Sequence, residues 1–369
     1  MLDGCHAKDY EAHDNTTIKE RGRKGLEDIR EYQVNNYPQD AVRLDLNESP
    51  VPPPSEAREA MARELERVNR YPEAELVKAA VEAIAGYSGV KPGMIALAGG
   101  GDYGILTVLS LYAQDAGRII VPEYTFTMTT VIAAALGLEV ARIPVYEHGD
   151  EWRIDEDKLF QEARQGGMII IDHPNNPTGS LLIESSRIRE LAEEAQGPIL
   201  VDEAYYDFSR ETLAGAIEGQ PNIIILRTMS KAFALAGMRI GYLIAEEKKA
   251  TIMRTVAPFP VSRPALAAAA VLAGNPSFTR QLVKQIEDEK KHLAGELKRL
   301  GMKPYKSRTN FLLVETGAPR LWEKLKNDNI YVKSTPIRET MIRVSIGRRE
   351  DSERLITSLQ SILDKSRDT

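Results

Sequence analysis

Thr228-Met229-Ser230-Lys231-Ala232-Phe233 follows directly on Ile223–Arg227, a run of the kind that forms buried strands. A lysine in that place is unusual. A solvated ammonium prefers the surface, and one held near a core needs a partner or a task. An aldehyde cofactor supplies the task, because a desolvated lysine amine has a lowered pKa and can form a Schiff base. Eight residues on, Arg239 follows Gly237 and Met238 in a turn leading to a strand. An arginine there can reach the same phosphate that the Ser230 hydroxyl hydrogen-bonds. Standing alone, the segment reads more readily as a surface turn with a solvated lysine and arginine.

Between residues 95 and 245, short apolar runs alternate with helical patterns. The strand candidates are Ile95–Ala98, Arg118–Val121, Glu139–Ile143, Met168–Asp172, Ile199–Val201, Ile223–Arg227 and Arg239–Ile244. They are β-rich and mostly continuous in apolar character, the pattern of strands covered on both faces of an α/β sheet. After Glu246 a helix-rich stretch runs to about Leu300, with Ala265–Ala273 as a buried helix. Then come Phe311–Glu315, a helix near Leu321–Lys326, Ile342–Ile346 and a last helix from Ser352 to Leu363. The expected division is 1–72 as an N-terminal segment joining a small α+β domain, 73–250 as the large domain and 251–369 as the C-terminal small domain. Within the first segment, Ile18–Tyr32 has helical character and Pro50–Pro54 is a connector. Ser55 is an N-cap candidate for a helix running to the Arg70-Tyr71-Pro72 break.

Bulk properties set limits. A chain of 369 residues is too long for one compact core, which agrees with two domains. With 48 basic and 54 acidic residues the net charge is −6, and no basic block offers a footprint for nucleic acid or an anionic membrane. No apolar run is long enough to span a bilayer, and the polar start MLDGCHAKDYEAHDN lacks the core of a secretory signal. The single cysteine, Cys5, cannot form an intrachain disulfide, so a reducing, cytoplasmic location is expected. The 5 histidines and 1 cysteine supply no close pair of metal ligands.

Three further segments carry chemistry. Gly99-Gly100-Gly101-Asp102 lies between a strand and a helical pattern. Glycines let the backbone approach a phosphate, and the helix N-terminus offers free N–H groups; a plain strand-to-helix turn is the alternative. No Gly-Lys-Ser/Thr follows, so it is not a nucleotide P-loop. His173-Pro174-Asn175-Asn176-Pro177-Thr178-Gly179 follows the strand Met168–Asp172. Proline fixes such a turn, and asparagine amides are neutral donors suited to a phenolate-like oxygen. Asp202 ends the strand Ile199–Val201 and precedes Glu203-Ala204-Tyr205. A carboxylate there points into the crevice where α/β sheets bind ligands, although an N-cap aspartate is the plainer reading. Opposite a pyridine nitrogen it would keep that nitrogen protonated and make the ring an electron sink.

The order of these segments and their wording resemble the fold-type I pyridoxal-phosphate enzymes of aminotransferase class I/II, most of all the histidinol-phosphate aminotransferase branch. The matching strings are Leu46-Asn47-Glu48-Ser49-Pro50, Arg70-Tyr71-Pro72, Pro122-Glu123-Tyr124, Pro174–Gly179, Val201–Tyr205, Ser230–Tyr242, Thr309–Val314 and Ile342–Gly347. The resemblance implies pyridoxal 5'-phosphate as cofactor. It implies an α/β fold with a mostly parallel seven-stranded sheet sandwiched by helices, plus a smaller α+β domain. It also implies roles. Lys231 would hold the cofactor and act as the acid–base, with Asp202 at the pyridine nitrogen. Asn176 and Tyr205 would bind the ring's 3-oxygen, and Tyr124 would stack on the ring. Gly100, Gly101, Asp102, Thr228, Ser230 and Arg239 would hold the phosphate. Tyr71 would reach the phosphate of a neighbouring subunit, which implies a homodimer. Arg343 would clamp the substrate α-carboxylate as a bidentate fork, with Asn47, Asn310 and Lys333 on the substrate side.

Three positions depart from the family pattern: Tyr103 where an acidic residue is usual, His173 where asparagine is usual, and Lys333 where the branch carries arginine. The implied reaction is ping-pong exchange of an amino group between an amino donor and a 2-oxo acid, with histidinol phosphate as the foremost substrate. An aromatic or other amino acid comes next. A decarboxylase resembling threonine-phosphate decarboxylase would use the same scaffold. A non-catalytic binding protein is the last alternative, and the retention of Lys231, Asp202, Asn176, Tyr205 and Arg239 together argues against it.

Overall fold

A computed structural model describes residues 35–367. The helix expected near Ile18–Tyr32 and the cysteine Cys5 lie outside the described residues. The seven expected strands pair into one sheet in the order Ile95–Ala98, Gly241–Ile244, Ile223–Thr228, Ile199–Asp202, Met168–Asp172, Arg118–Pro122, Glu139–Ile143. Gly241–Ile244 is antiparallel to both neighbours, and the other neighbouring pairs run parallel.

The continuous apolar runs are explained by cover on both faces. Successive strand residues point to opposite sides. Ile169, Ile171, Ile199, Val201, Ile223 and Ile225 enter one core. It is closed by the helices Ala74–Ser88, Glu156–Arg164, Ser185–Glu194 and Arg263–Gly274. Met168, Ile170, Leu200, Ile224 and Leu226 enter the opposite core, under Gly101–Tyr112, Thr127–Ala135 and Glu247–Val256. Helix Arg263–Gly274 is buried along most of its length, and its small side chains let Ser55–Leu65 and Ala74–Ser88 pack closely on it.

A second sheet has the order Val42–Leu44, Ile330–Ser334, Met341–Ser345, Phe311–Glu315, Lys303–Pro304. The N-terminal strand pairs in parallel with Ile330–Ser334, and the helices Ser277–Arg299 and Arg349–Arg367 complete this part. Among the described residues, no helix is long and apolar enough to cross a membrane.

Several local readings need correction. Ser55 is the first helical residue, not the cap: Pro54 holds the cap position, and the Ser55 hydroxyl donates to Glu56. That helix ends at Leu65, and a second one, Ala74–Ser88, begins beyond the Arg70-Tyr71-Pro72 break. The strand expected from Arg239 starts at Gly241, because Arg239 has φ 51°, a left-handed conformation that a strand cannot contain. The hairpin Val145–His148 with Glu151–Ile154 was not anticipated.

One buried ion pair lies in the sheet. Arg227 Nε donates to Glu203 Oε2 at 2.9 Å, Arg227 Nη2 donates to Thr212 Oγ1 at 2.7 Å, and the guanidinium lies 3.6 Å from the Tyr206 ring centre. Removing one partner of such a pair strands the other charge and costs about 3–5 kcal/mol, whereas apolar replacement of both avoids that penalty. Glu203→Ala or Arg227→Met alone should therefore lower the urea midpoint steeply, and Arg227→Met with Glu203→Leu should regain more than half of the loss. A double variant no better than the worse single one would show that Tyr206 and the surrounding chain hold Arg227 without Glu203.

Candidate active site

The parallel strands deliver their C-terminal ends to one edge. Asp172, Asp202 and Thr228 close three neighbouring strands, and Gly241 lies opposite both Thr228 and Ala98. The backbones crowd here: a Cβ on Gly241 would sit 2.9 Å from the Arg227 carbonyl oxygen and 3.0 Å from the Gly100 carbonyl carbon. Gly100 has φ 95°, and a Cβ on it would lie 2.5 Å from Arg239 Nη2. Both positions thus require glycine. Gly101 begins the helix Gly101–Tyr112, so free N–H groups open beside Arg239.

Arg239 Nη2 donates to Asp102 Oδ1 at 2.6 Å, in a half-exposed pair of the kind that contributes little on its own. Thr228 Oγ1 donates to Ser230 Oγ at 2.9 Å, and both residues are buried. The glycine turn, helix end, two hydroxyls and arginine form one cluster of donors suited to an anion.

Lys231 follows that cluster. Its Nζ donates to the Leu46 carbonyl at 2.9 Å. Burial, together with the Arg343 and Arg239 charges, brings its ammonium down to about 8, against the pull of Glu48 and Asp202. An amine with that value is substantially unprotonated just above neutrality, in its nucleophilic form. Asp202 is pushed up to about 8 by burial and by the adjacent Asp172 carboxylate. Its Oδ1 accepts the Ala204 N–H at 2.9 Å, so the plainer capping role and a place in the crevice coexist.

Tyr205 is buried, and its hydroxyl accepts from Asn47 Nδ2 at 2.9 Å. Burial raises its phenol to about 12, which leaves the proton in place for donation. Asn47 is fixed in turn. Its N–H donates to Ser345 Oγ at 2.8 Å, its Oδ1 accepts from the same hydroxyl at 2.9 Å, and its carbonyl accepts from Asn310 Nδ2 at 3.0 Å. Its φ of 54° is one that asparagine tolerates better than most residues. Arg343 Nη1 donates to Asn176 Oδ1 at 2.6 Å, and Nη2 donates to the Asp45 carbonyl. The arginine thereby orients the Asn176 amide with its NH2 end turned elsewhere. Lys333 stands opposite Arg343 across antiparallel strands, so the two share a sheet face.

Lys231, Asp202, Tyr205, Asn176, Arg343, Asn47 and Asn310 therefore form a connected region, beside the donor cluster of Gly100, Gly101, Asp102, Thr228, Ser230 and Arg239. The Tyr124 carbonyl accepts from Asn175 Nδ2 at 2.8 Å, which ties that aromatic to the turn bearing Asn176. Tyr71 stands apart: it is 75 % exposed and stacks on Phe259 at 4.6 Å. His173 is fully buried and bonded to Ser185, and burial lowers it to about 4, so it is a neutral structural residue.

Sequence reasoning missed Asp172, Thr125, the Leu46 carbonyl and Ser345. Asp172 bore the signal that singled out Asp202, a carboxylate at the C-terminal end of a central strand. The Leu46 carbonyl carries no such signal, because any residue can supply one.

Residues 39–359 match the family Aminotransferase class I and II. The histidinol-phosphate aminotransferase of Sulfurisphaera tokodaii is 36 % identical over 345 residues, covering 92 % of this chain and 95 % of that protein. That of Chlorobium luteolum is 34 % identical over 349 residues, covering 92 % and 96 %. The crystal structure of histidinol-phosphate aminotransferase from Sinorhizobium meliloti in complex with pyridoxal-5'-phosphate is similar in fold. Its TM-score is 0.79 at 23 % identity, with 87 % of this chain and 91 % of that chain covered. The extent of these matches, together with the lysine, carboxylate and anion-binding turn at one sheet edge, shows that the chain belongs to the class I and II aminotransferases, the fold-type I pyridoxal-phosphate-dependent transaminases.

Proposed function

We propose that the chain is a histidinol-phosphate transaminase, exchanging an amino group between histidinol phosphate and a 2-oxo acid. The observation that carries this substrate is the Lys333–Arg343 pair. Like charges directly opposite in a sheet repel, and the Arg343 charge adds to burial in lowering the Lys333 ammonium. An anionic substrate terminus relieves that repulsion. A phosphate monoester, with about −1.5 to −2 charges at neutral pH, suits two cations better than a carboxylate does. Support also comes from relatives of that name at 36 % and 34 % identity.

The site's residues fit pyridoxal phosphate. The crevice places a donor cluster at one end, a carboxyl at another and a lysine of depressed pKa between, and a Cβ at Gly100 would fill the cradle. When bound, the cofactor supplies the aldehyde carbon and an electron-withdrawing ring. Lys231 Nζ would hold the aldehyde group, and its amine would be the base that moves the proton during the exchange. The Asp202 carboxylate would keep the ring nitrogen protonated. Asn176 and Tyr205 would donate to the ring's oxygen, one oriented by Arg343 and the other by Asn47. Tyr124 would cover the ring, and Gly100, Gly101, Asp102, Thr228, Ser230 and Arg239 would take the phosphate. Exposed Leu65, Val68, Tyr71 and Phe259 support a homodimer in which Tyr71 reaches the partner's phosphate.

Lys231→Ala should lose both turnover and the visible band of the lysine-bound cofactor, and normal turnover without added amine would remove the lysine from its role. In the wild type, capture of free pyridoxal phosphate should speed up as pH rises through about 8, because only the unprotonated amine attacks. A rate flat from pH 7 to 9 would contradict a lowered lysine. The substrate is tested by half-reaction spectra, adding single amines without an acceptor. Loss of the visible band with histidinol phosphate is expected. Loss with an aromatic amino acid instead would move the substrate. Carbon dioxide release from threonine phosphate with the band regenerated would replace transamination by decarboxylation.

A further inference from the structure

Arg263 is 3 % exposed, and the mechanism above has no use for it. It is the first residue of the helix Arg263–Gly274. A cation there meets the positive end of the helix dipole, and burial adds to the cost. Its partners offset both. Nε donates to Glu64 Oε2 at 2.8 Å, and Nη2 lies 2.6 Å from the same oxygen. Nη1 donates to Glu73 Oε2 at 2.6 Å and to the Tyr71 carbonyl at 3.1 Å. Glu64 lies in the last turn of the helix Ser55–Leu65, and Glu73 holds the cap position of the helix Ala74–Ser88. One guanidinium therefore fastens both ends of the link that carries Tyr71, and the Tyr71 backbone as well.

The Tyr71 ring is held by the same segment. Phe259 stacks on it, with centroids 4.6 Å apart and planes 23° apart. Next to Phe259, the Pro260 carbonyl faces the glycine turn: a Cβ on Gly99 would lie 3.3 Å from that oxygen. Residues 259–263 thus lean on the anion-binding turn of their own chain and grip Tyr71 at both its carbonyl and its ring. Tyr71 is nevertheless 75 % exposed. A side chain ordered without being buried has given up freedom for no packing gain of its own. Ordering it beforehand favours the later binding event in which the ring is used.

We propose that Arg263 is a positioning residue: it fixes the link between the helices Ser55–Leu65 and Ala74–Ser88 so that Tyr71 projects in one orientation, toward the cofactor phosphate of a second copy of the chain. The inference rests on the homodimer reading given above. Arg263 touches no cofactor itself and acts through Tyr71. Lysine at position 263 would keep a charge for the carboxylates, but it lacks the planar fork that reaches Glu64, Glu73 and the Tyr71 carbonyl together.

The test measures the affinity for pyridoxal phosphate from the growth of the visible band, with sedimentation to give the oligomeric state. Wild type, Tyr71→Phe, Arg263→Lys and the double variant are compared. Tyr71→Phe should weaken binding about tenfold, the loss expected for one hydrogen bond to a charged group. Arg263→Lys should weaken it about fivefold, because the hydroxyl is misplaced rather than removed. In the Tyr71→Phe background, Arg263→Lys should add less than about twofold, since the group it positions is gone. An arginine that serves the fold alone would weaken binding equally in both backgrounds, and that result overturns the proposal. So does an Arg263→Lys dimer that binds cofactor like the wild type while Tyr71→Phe is impaired. If Arg263→Lys does not fold, Glu73→Gln takes its place, because Glu73 is half-exposed and shares Nη1 with the Tyr71 carbonyl. It must show the same dependence on Tyr71, and an equal effect in both backgrounds, or none, overturns the proposal. A monomeric wild type in which Tyr71→Phe binds cofactor normally removes the homodimer reading, and this inference with it.

Discussion

The site is arranged around a lysine amine kept out of water. Desolvation favours its neutral form, and the Arg343 and Arg239 charges add to the effect. Burial of this kind needs a lid of polar atoms that satisfies the amine without re-charging it. The Leu46 carbonyl is such an atom, 2.9 Å from Nζ. It belongs to a strap that no single element holds. Val42–Leu44 pairs with the small sheet, Asn310 and Ser345 hold Asn47, and Asn47 reaches across to Tyr205, just beyond the end of the large-sheet strand Ile199–Asp202. The lysine's chemistry therefore depends on contacts spanning nearly the whole described chain.

Like charges are gathered in pairs throughout the crevice. Asp172 lies beside Asp202 at one side, and Lys333 lies opposite Arg343 at the other. Burial raises both Asp172 and Asp202, and burial together with the Arg343 charge lowers Lys333 against the pull of Asp45. The buried Arg227–Glu203 pair, one residue away from Thr228 and Asp202, is by contrast matched.

The sheet was legible because its strands are apolar on both faces, a pattern that survives without knowledge of partners. Lys231, Asp202, Thr228 and Ser230 were legible for a related reason: each follows or ends such a strand, and parallel strands must open at one edge. What escaped notice depended on distance or backbone shape. Val42–Leu44 is three residues long and finds its partner at Ile330–Ser334. The hairpin strands of 145–154 are four residues each. The left-handed turn at Arg239 and the proline-capped start at Ser55 depend on local dihedrals that composition does not specify. Adjacent asparagines also divided their roles unforeseeably: Asn175 holds Thr178 and the Tyr124 carbonyl, whereas Asn176 faces Arg343.

The two halves of the crevice carry different kinds of information. The sheet edge supplies the lysine, the carboxyls and the anion cradle, all fixed by strand register and by glycines that admit no side chain. Such constraints keep a fold recognisable at 23 % identity. The opposite wall comes from the strap and the small sheet: Asp45, Asn47, Asn310, Lys333 and Arg343. Register fixes their positions too, but the side-chain chemistry at each position can change without disturbing the backbone pairing of the sheet. Lysine is a compact point charge without the planar fork, so it attracts a phosphate without imposing bidentate geometry. On the proposed assignment, directional recognition of the substrate's anionic end falls to Arg343, whose guanidinium is held by Asn176 and the Asp45 carbonyl. On that assignment, substrate choice is set by the wall built from the strap and the small sheet.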